Sequence, residues 1–258
     1  MKIESAEVVV RRILRAAEEA PGAAVATDGD GTLWSGDVGE EQYLAFIESG
    51  EVTAEGHAAL VREARRHGVD AGGDTRTLGR RIYDAYVAGT YPEEPVCELM
   101  AYCFAGKTRD ASRAFASRVL DHGRLETRFH PELAKVLAEV RRAGIELFLV
   151  SASPLDVIVE AGRRAGFDEA HIIASTPVYA GDVVTADVER PIPYGPGKAH
   201  HLRRRIGERP FVAAFGDNAF DLVMLREAKV PVAVRAKARL RQRAAELPEL
   251  VELEPCAF

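Results

Sequence analysis

Cysteine is scarce in this chain. Cys97, Cys103 and Cys256 are odd in number and widely spaced, so they form neither a disulfide framework nor a zinc knuckle. They are expected to be reduced thiols of a cytoplasmic protein. No apolar run is long enough to cross a bilayer. Near the start, Val8-Val9-Val10 sits among Glu4, Glu7, Arg11, Arg12 and Arg15, which leaves no apolar core for a signal peptide. An excess of basic charge is also missing. With 34 Lys and Arg against 40 Asp and Glu, the formal charge is −6, whereas a protein whose main partner is a nucleic-acid backbone favours a basic face. No internal repeat or low-complexity tract occurs. What remains is a chain of 258 residues, 47% hydrophobic and 29% charged, enough for a large core plus a sizeable insertion. Neither nucleic acid nor membrane is expected as partner, a small metabolite is, and composition leaves the oligomeric state open.

Val9, Ile13 and Ala17, with Val10 and Leu14, recur at helical spacing ahead of Pro21-Gly22 and predict an amphipathic helix. Ala23-Ala24-Val25-Ala26 then reads as a short buried strand that ends at the polar, glycine-rich loop Thr27-Asp28-Gly29-Asp30-Gly31-Thr32. From Asp37 to Arg128 the pattern is helical, with stretches over Gln42 to Ser49, Ala58 to His67, Leu78 to Ala88 and Ala111 to His122. This gives a domain division into a core of residues 1–36 and 129–258 and a helical insertion of residues 37–128.

Beyond the insertion, helix and strand alternate. Pro131 to Arg142, Leu155 to Arg164, Ala199 to Ile206 and Ala219 to Glu227 read as helices; Ile145 to Val150, Ile172-Ile173, Phe211 to Phe215 and Val230 to Val234 read as strands. Tyr179-Ala180-Gly181-Asp182-Val183 reads as a hairpin turn. The fold class that follows is α/β, a doubly wound parallel sheet, in which ligands bind beyond the carboxyl ends of the strands. Asp28, Ser151 and Asp217 each follow a predicted strand and are expected to converge on one crevice.

Four carboxylates in such a crevice, Asp28, Asp30, Asp217 and Asp221, repel one another unless a cation joins them. Oxygen-only donors select a hard ion, which makes Mg2+ the expected cofactor. A cation there would offset the charge of an incoming phosphate and make attack by an aspartate oxygen on phosphorus feasible, with Lys198 as the fixed positive counterpart. Ser151, with backbone N–H groups at a helix start, is placed to hold phosphate oxygens.

Competing motifs fail on single positions. A calcium loop needs an acid or amide where Thr32 stands, Gly at Leu33 and Glu at Gly39. A P-loop ending in Gly197-Lys198 needs Gly at Ile192 and Ser or Thr at Ala199. His200-His201 are adjacent and point to different sides of a helix, which suits ordinary histidines better than metal ligands. Trp34, the only tryptophan, belongs either to the packing of the hinge or to the pocket wall.

The segments Asp28-Gly29-Asp30-Gly31-Thr32, Val150-Ser151-Ala152-Ser153, Gly197-Lys198 and Gly216-Asp217-Asn218-Ala219-Phe220-Asp221, in this order, resemble the haloacid dehalogenase superfamily. Its phosphatases carry an Asp-x-Asp-Gly-Thr loop, a strand-end Ser or Thr, a Lys and a Gly-Asp-x-x-x-Asp motif on a Rossmann-like core. The resemblance implies Asp28 as nucleophile and Asp30 as general acid and base. It gives magnesium to Asp28, the Asp30 backbone carbonyl and Asp217, with Asp221 in support. The second loop aspartate, Asp30, sets the chain apart from the dehalogenases, which lack it.

The insertion is similar to the helical cap of the phosphoserine phosphatase branch, whose cap-entry Glu binds the substrate amine. Asp37 stands at that place here, nine residues after Asp28, while Ala152-Ser153 and Phe220 replace that branch's Gly-Gly and Asn. The expected substrate-binding residues are Asp37, Ala152 and Asn218. The expected activity is hydrolysis of a small phosphate monoester, phosphoserine or a related phosphorylated amine, through an aspartyl-phosphate. A phosphotransferase or mutase using the same intermediate and a non-catalytic phosphate-binding regulator are the alternatives. The acidic stretch Asp37, Glu40, Glu41, Glu48, Glu51 and Glu55 favours a cationic group or is a solvated face. Arg76, Arg80 and Arg81 offer either a carboxylate fork or a solvated basic face.

Overall fold

A computed structural model of the chain describes residues 1–256. A short strand, β1 (Lys2–Glu4), leads into helix α1 (Ala6–Glu18) and strand β2 (Ala24–Thr27). Five helices come next: α2 (Val38–Ser49), α3 (Ala54–Arg66), α4 (Thr75–Val87), α5 (Glu93–Tyr102) and α6 (Arg109–His122). Helix α7 (Pro131–Arg142), strand β3 (Glu146–Pro154), helix α8 (Leu155–Arg164) and strand β4 (Ile172–Ser175) follow, then a hairpin of β5 (Pro177–Ala180) and β6 (Val183–Val188). The chain finishes with α9 (Pro196–Ile206), β7 (Phe211–Gly216), α10 (Leu222–Glu227), β8 (Val230–Val234), α11 (Ala238–Gln242) and β9 (Val251–Leu253).

Seven strands form one all-parallel sheet in the order β1-β9-β8-β7-β2-β3-β4. Its residues alternate between two faces, as a period of two requires. On β2, Val25 packs with Val9, Ile13 and Leu149 on one face; Ala24 and Ala26 pack with Phe148, Val150, Leu202 and Leu225 on the other. Both faces are covered, so β2 reads as an unbroken apolar run. Helix α1 contributes Val9 and Ile13, both fully buried, to the first face, and full burial of such side chains stabilises the fold by roughly 1.5–3 kcal/mol each.

The chain moves one way through β2, β3 and β4 and the other way through β7, β8 and β9. The reversal lies between β2 and β7, and that is where a ligand crevice opens at the carboxyl ends of parallel strands. Asp28 directly follows β2, and Asp217 directly follows β7.

The helices between β2 and β3 build a second hydrophobic cluster around Tyr43, Phe46, Leu60, Leu78, Ile82, Leu99 and Phe104, and Val184, Val188 and Ile192 join it from β6 and beyond. Phe46 stacks on Phe104 with ring centroids 3.8 Å apart. Local chemistry sets the starts of these helices: Asp37, Thr53, Asp74 and Thr108 each accept a hydrogen bond from a first-turn N–H. Helix α5 has no such cap and carries Pro95 in its first turn, which hides it from periodicity. No helix among the described residues is long and apolar enough to cross a membrane.

Of the boundaries that differ from the sequence reading, two bear on the site. Strand β3 runs on through Ser151 to Pro154, with a register shift against β4 between Val150 and Pro154, so Ser151 lies inside the strand rather than at a helix start. Helix α9 begins at Pro196, which puts Lys198 in its first turn.

Candidate active site

Asp28 is 3% exposed, and its carboxylate is fixed from one side only. Lys198, fully buried, donates from Nζ to Asp28 Oδ1 at 2.5 Å and to Asp221 Oδ1 at 2.5 Å. Burial works against the Lys198 charge, but Asp221 and Asp28 more than offset it and hold the ammonium protonated. Asp221 Oδ2 accepts from the backbone N–H groups of Asp217 (3.1 Å) and Asn218 (2.9 Å). Asp28, Asp217 and Asp221 present oxygens that all lie within 4.8 Å of one another.

Asp28 Oδ2 and Asp217 Oδ1 are buried without a hydrogen-bond partner among the described residues. Leaving such oxygens unsatisfied is costly. Burial, then repulsion by Asp28 and Asp221, pushes Asp217 up to about 7, and burial raises Asp221 to about 6 even with Lys198 beside it. A hard, all-oxygen donor set with two free oxygens therefore stands where negative charge is in excess. That arrangement fits a divalent cation such as Mg2+. Asp28 and Asp217 supply the free oxygens, while Asp221 is occupied by Lys198 and two N–H groups.

Asp30 stands outside this carboxylate cluster. Its Oδ1 accepts from Trp34 Nε1 (2.9 Å) and from the backbone N–H of Val38 (2.7 Å), and its Oδ2 from Ser153 Oγ (2.7 Å) and, at 3.4 Å, Ser151 Oγ. Burial is the largest influence on Asp30 and raises its proton affinity; Asp28 adds to this, and the hydrogen bonds only partly reverse it. Of the two places left open for it, the buried Trp34 takes the packing role, holding Asp30 rather than lining the cavity. The donor from Val38 is the first N–H of α2, so the entry to the helical insertion and the orientation of Asp30 are one piece of geometry.

Asp28, Asp30, Ser151, Ala152 and Asn218 line a cavity of about 380 Å³, together with Asp37 at the N-cap of α2. Asn218 also caps the turn that follows it, accepting from Ala219 N–H at 2.7 Å. Burial, then the negative charges of Asp30 and Glu40, holds the Asp37 carboxyl well above the usual range.

Other candidates lie elsewhere. Arg76 and Arg80 pair with Glu48, Arg81 pairs with Asp70, and none of the three lines the cavity. His201 bonds the carbonyl of Pro191 and lines a separate pocket.

Two side chains escaped the sequence reading. Lys237 Nζ sits 2.8 Å from Asp217 Oδ2, and its backbone N–H donates to the Asp217 carbonyl at 2.8 Å. It lies just beyond the end of β8, so the strand-end rule that picked out Asp28 and Asp217 also reaches it. Ser153, inside a segment already singled out, holds Asp30 more closely than Ser151 does.

A family model described as haloacid dehalogenase-like hydrolase matches residues 25–226. The "Inhibition of morphological differentiation protein" of Streptomyces azureus is 29% identical over 152 residues, which are 57% of this chain and 53% of that protein. The match thus spans about half the length of that curated relative. Among solved structures, a protein of unknown function from Bordetella pertussis Tohama I is similar with a TM-score of 0.70 at 19% identity, covering 89% of this chain and 97% of that one. A substrate-bound phosphoserine phosphatase is similar with a TM-score of 0.53 at 16% identity, covering 86% and 90%. At these identities the structural likeness is one of fold.

Proposed function

The chain belongs to the haloacid dehalogenase-like hydrolase family, and from that premise we propose that it is a magnesium-dependent phosphatase that hydrolyses a small phosphate monoester through a phosphorylated Asp28. The observation that carries the reading is the pairing of two different carboxyl groups on one cavity. Asp28 has one free buried oxygen and its other oxygen accepts from the buried Lys198 ammonium; Asp30 has a raised proton affinity. A carboxyl group bonded on one oxygen by a buried ammonium and free on the other, beside a second of raised proton affinity, suits a pairing of nucleophile and acid.

In this reading the Asp28 oxygen forms a bond to phosphorus as the bond from phosphorus to the leaving alkoxide breaks, and Asp30 gives that alkoxide its proton. Water then attacks the acyl phosphate, its proton passes back to Asp30, and phosphate departs from Asp28. Lys198 keeps Asp28 oriented, and Ser151 contributes a hydroxyl to the phosphate oxygens. Asp28 and Asp217 would hold the cation, which when bound offsets the phosphate charge. The helices of residues 37–128 act as a cap that shields the reaction from water.

Phosphate release from p-nitrophenyl phosphate with magnesium tests this. Turnover is expected with the metal, with loss on chelation and recovery on adding magnesium back; turnover indifferent to chelator would defeat the metal assignment.

A further inference from the structure

The cavity lining is acidic and aromatic, and its only cationic side chain among the described residues, Lys237, is paired with Asp217 while its charge also reaches Asp37. Asp37, Glu40, Tyr86, Tyr194 and Phe220 belong to that lining, and Glu40 and Tyr86 also border a neighbouring pocket together with Arg239. Glu40 is fixed by neutral donors: the Tyr83 hydroxyl at 2.6 Å on Oε2 and the Tyr86 hydroxyl at 2.9 Å on Oε1. No Lys or Arg among the described residues forms an ion pair with Glu40 or Asp37. The neighbouring Glu93 differs, being answered by Arg239 at 3.2 Å as well as by the Tyr194 hydroxyl at 2.9 Å. The Tyr194 and Phe220 rings lie 5.3 Å apart, tilted by 35°. In the same cavity, Asp28 carries the buried oxygen that has no partner, which marks the space as one built for a ligand.

A phosphate bound at Asp28 would put the rest of its ester against these acids and rings. A carboxylate there would face Glu40 and Asp37 with no guanidinium in the cavity lining among the described residues, since Arg76, Arg80 and Arg81 are paired elsewhere and Arg239, in the neighbouring pocket, is paired with Glu93. An ammonium would gain from both the carboxylates and the aromatic rings. We propose that the substrate is the phosphate monoester of an amino alcohol whose ammonium has no carboxylate beside it, of the choline or ethanolamine type, recognised by Glu40 and Asp37 with Tyr86 and Tyr194, the Phe220 ring being taken by Lys198 at 4.9 Å. This rests on the phosphatase reading above and narrows it, turning the site away from phosphoserine.

Two matched substrate pairs test it on the full-length chain with magnesium. Phosphocholine against 3,3-dimethylbutyl phosphate, its uncharged isostere, isolates the ammonium; phosphoethanolamine against phosphoserine isolates the carboxylate. Each kcat/KM ratio is expected at about tenfold or more in favour of the first member, the scale of a charge-assisted contact. Glu40→Gln is expected to shrink the first ratio, and should that variant not fold, the two ratios of the unaltered chain still decide. Hydrolysis of p-nitrophenyl phosphate with either ratio near one or reversed would overturn the ammonium assignment alone. No phosphate release from any of the five compounds would overturn the phosphatase reading and this proposal with it.

Discussion

Asp30 and Gly31 show how closely single residues constrain this site. Asp30 is held by Trp34, Val38, Ser151 and Ser153, so Asp30→Asn keeps much of the shape while removing the transferable proton. Turnover of an ester with a poor leaving group should fall by about 10²–10⁴-fold. Steady-state rates on an alkyl phosphate check this, and an unchanged rate would remove Asp30 from proton transfer. Gly31 has φ +80°, and a Cβ there would lie 2.1 Å from Asp217 Oδ2. Gly31→Ala costs about 1–2 kcal/mol in backbone strain alone and must also displace Asp217. Denaturant unfolding beside activity should show the loss of turnover to be far larger than the loss of stability explains; full activity would mean that Asp217 need not stand where it does.

Among the elements, one of the ion pairs that tie the helices of residues 38–122 to the rest of the chain lies where the chain returns to the sheet. Arg128, on the returning chain, donates to both carboxylate oxygens of Glu41 on α2 at 2.8 Å each, and its Nε donates to the Ser35 carbonyl at 2.8 Å. The pair is part-exposed, so solvent screening limits its worth to about 1 kcal/mol, and Arg128→Ala should lower the melting temperature by roughly 2–4 °C. Calorimetry reads this directly. A drop beyond ten degrees or so would show the crossing to be a main support of the fold.

The same scale explains what the sequence let one see. Strands such as β2 and β7, buried on both faces, are legible as apolar runs, and the acids just past them mark the crevice. β1 and β9 have three residues each, too few to carry a period, and the register shift after Val150 lets β3 continue through small polar residues that read as a loop. Lys237 sits in a run of basic residues that resembles a solvated face, and only its approach to Asp217 separates it from its neighbours. The acids of α2 were visible, but whether they were paired was not: Glu41 and Glu48 have arginine partners, and among the described residues Glu40 has only tyrosines as side-chain hydrogen-bond partners.

For the whole molecule, the strand order brings four separate stretches of chain to one point, where Lys198 partly offsets the carboxylates around an Asp28 oxygen that has no hydrogen-bond partner among the described residues. The account turns on that oxygen bonding to phosphorus. The most direct measurement is to trap the enzyme during turnover of a phosphate monoester by rapid acid quench, digest it, and locate the phosphorylated residue by mass spectrometry. The account predicts phosphate on Asp28, absent from the Asp28→Asn variant. Phosphate on another side chain, or quenched enzyme that never carries any while turning over, would contradict it.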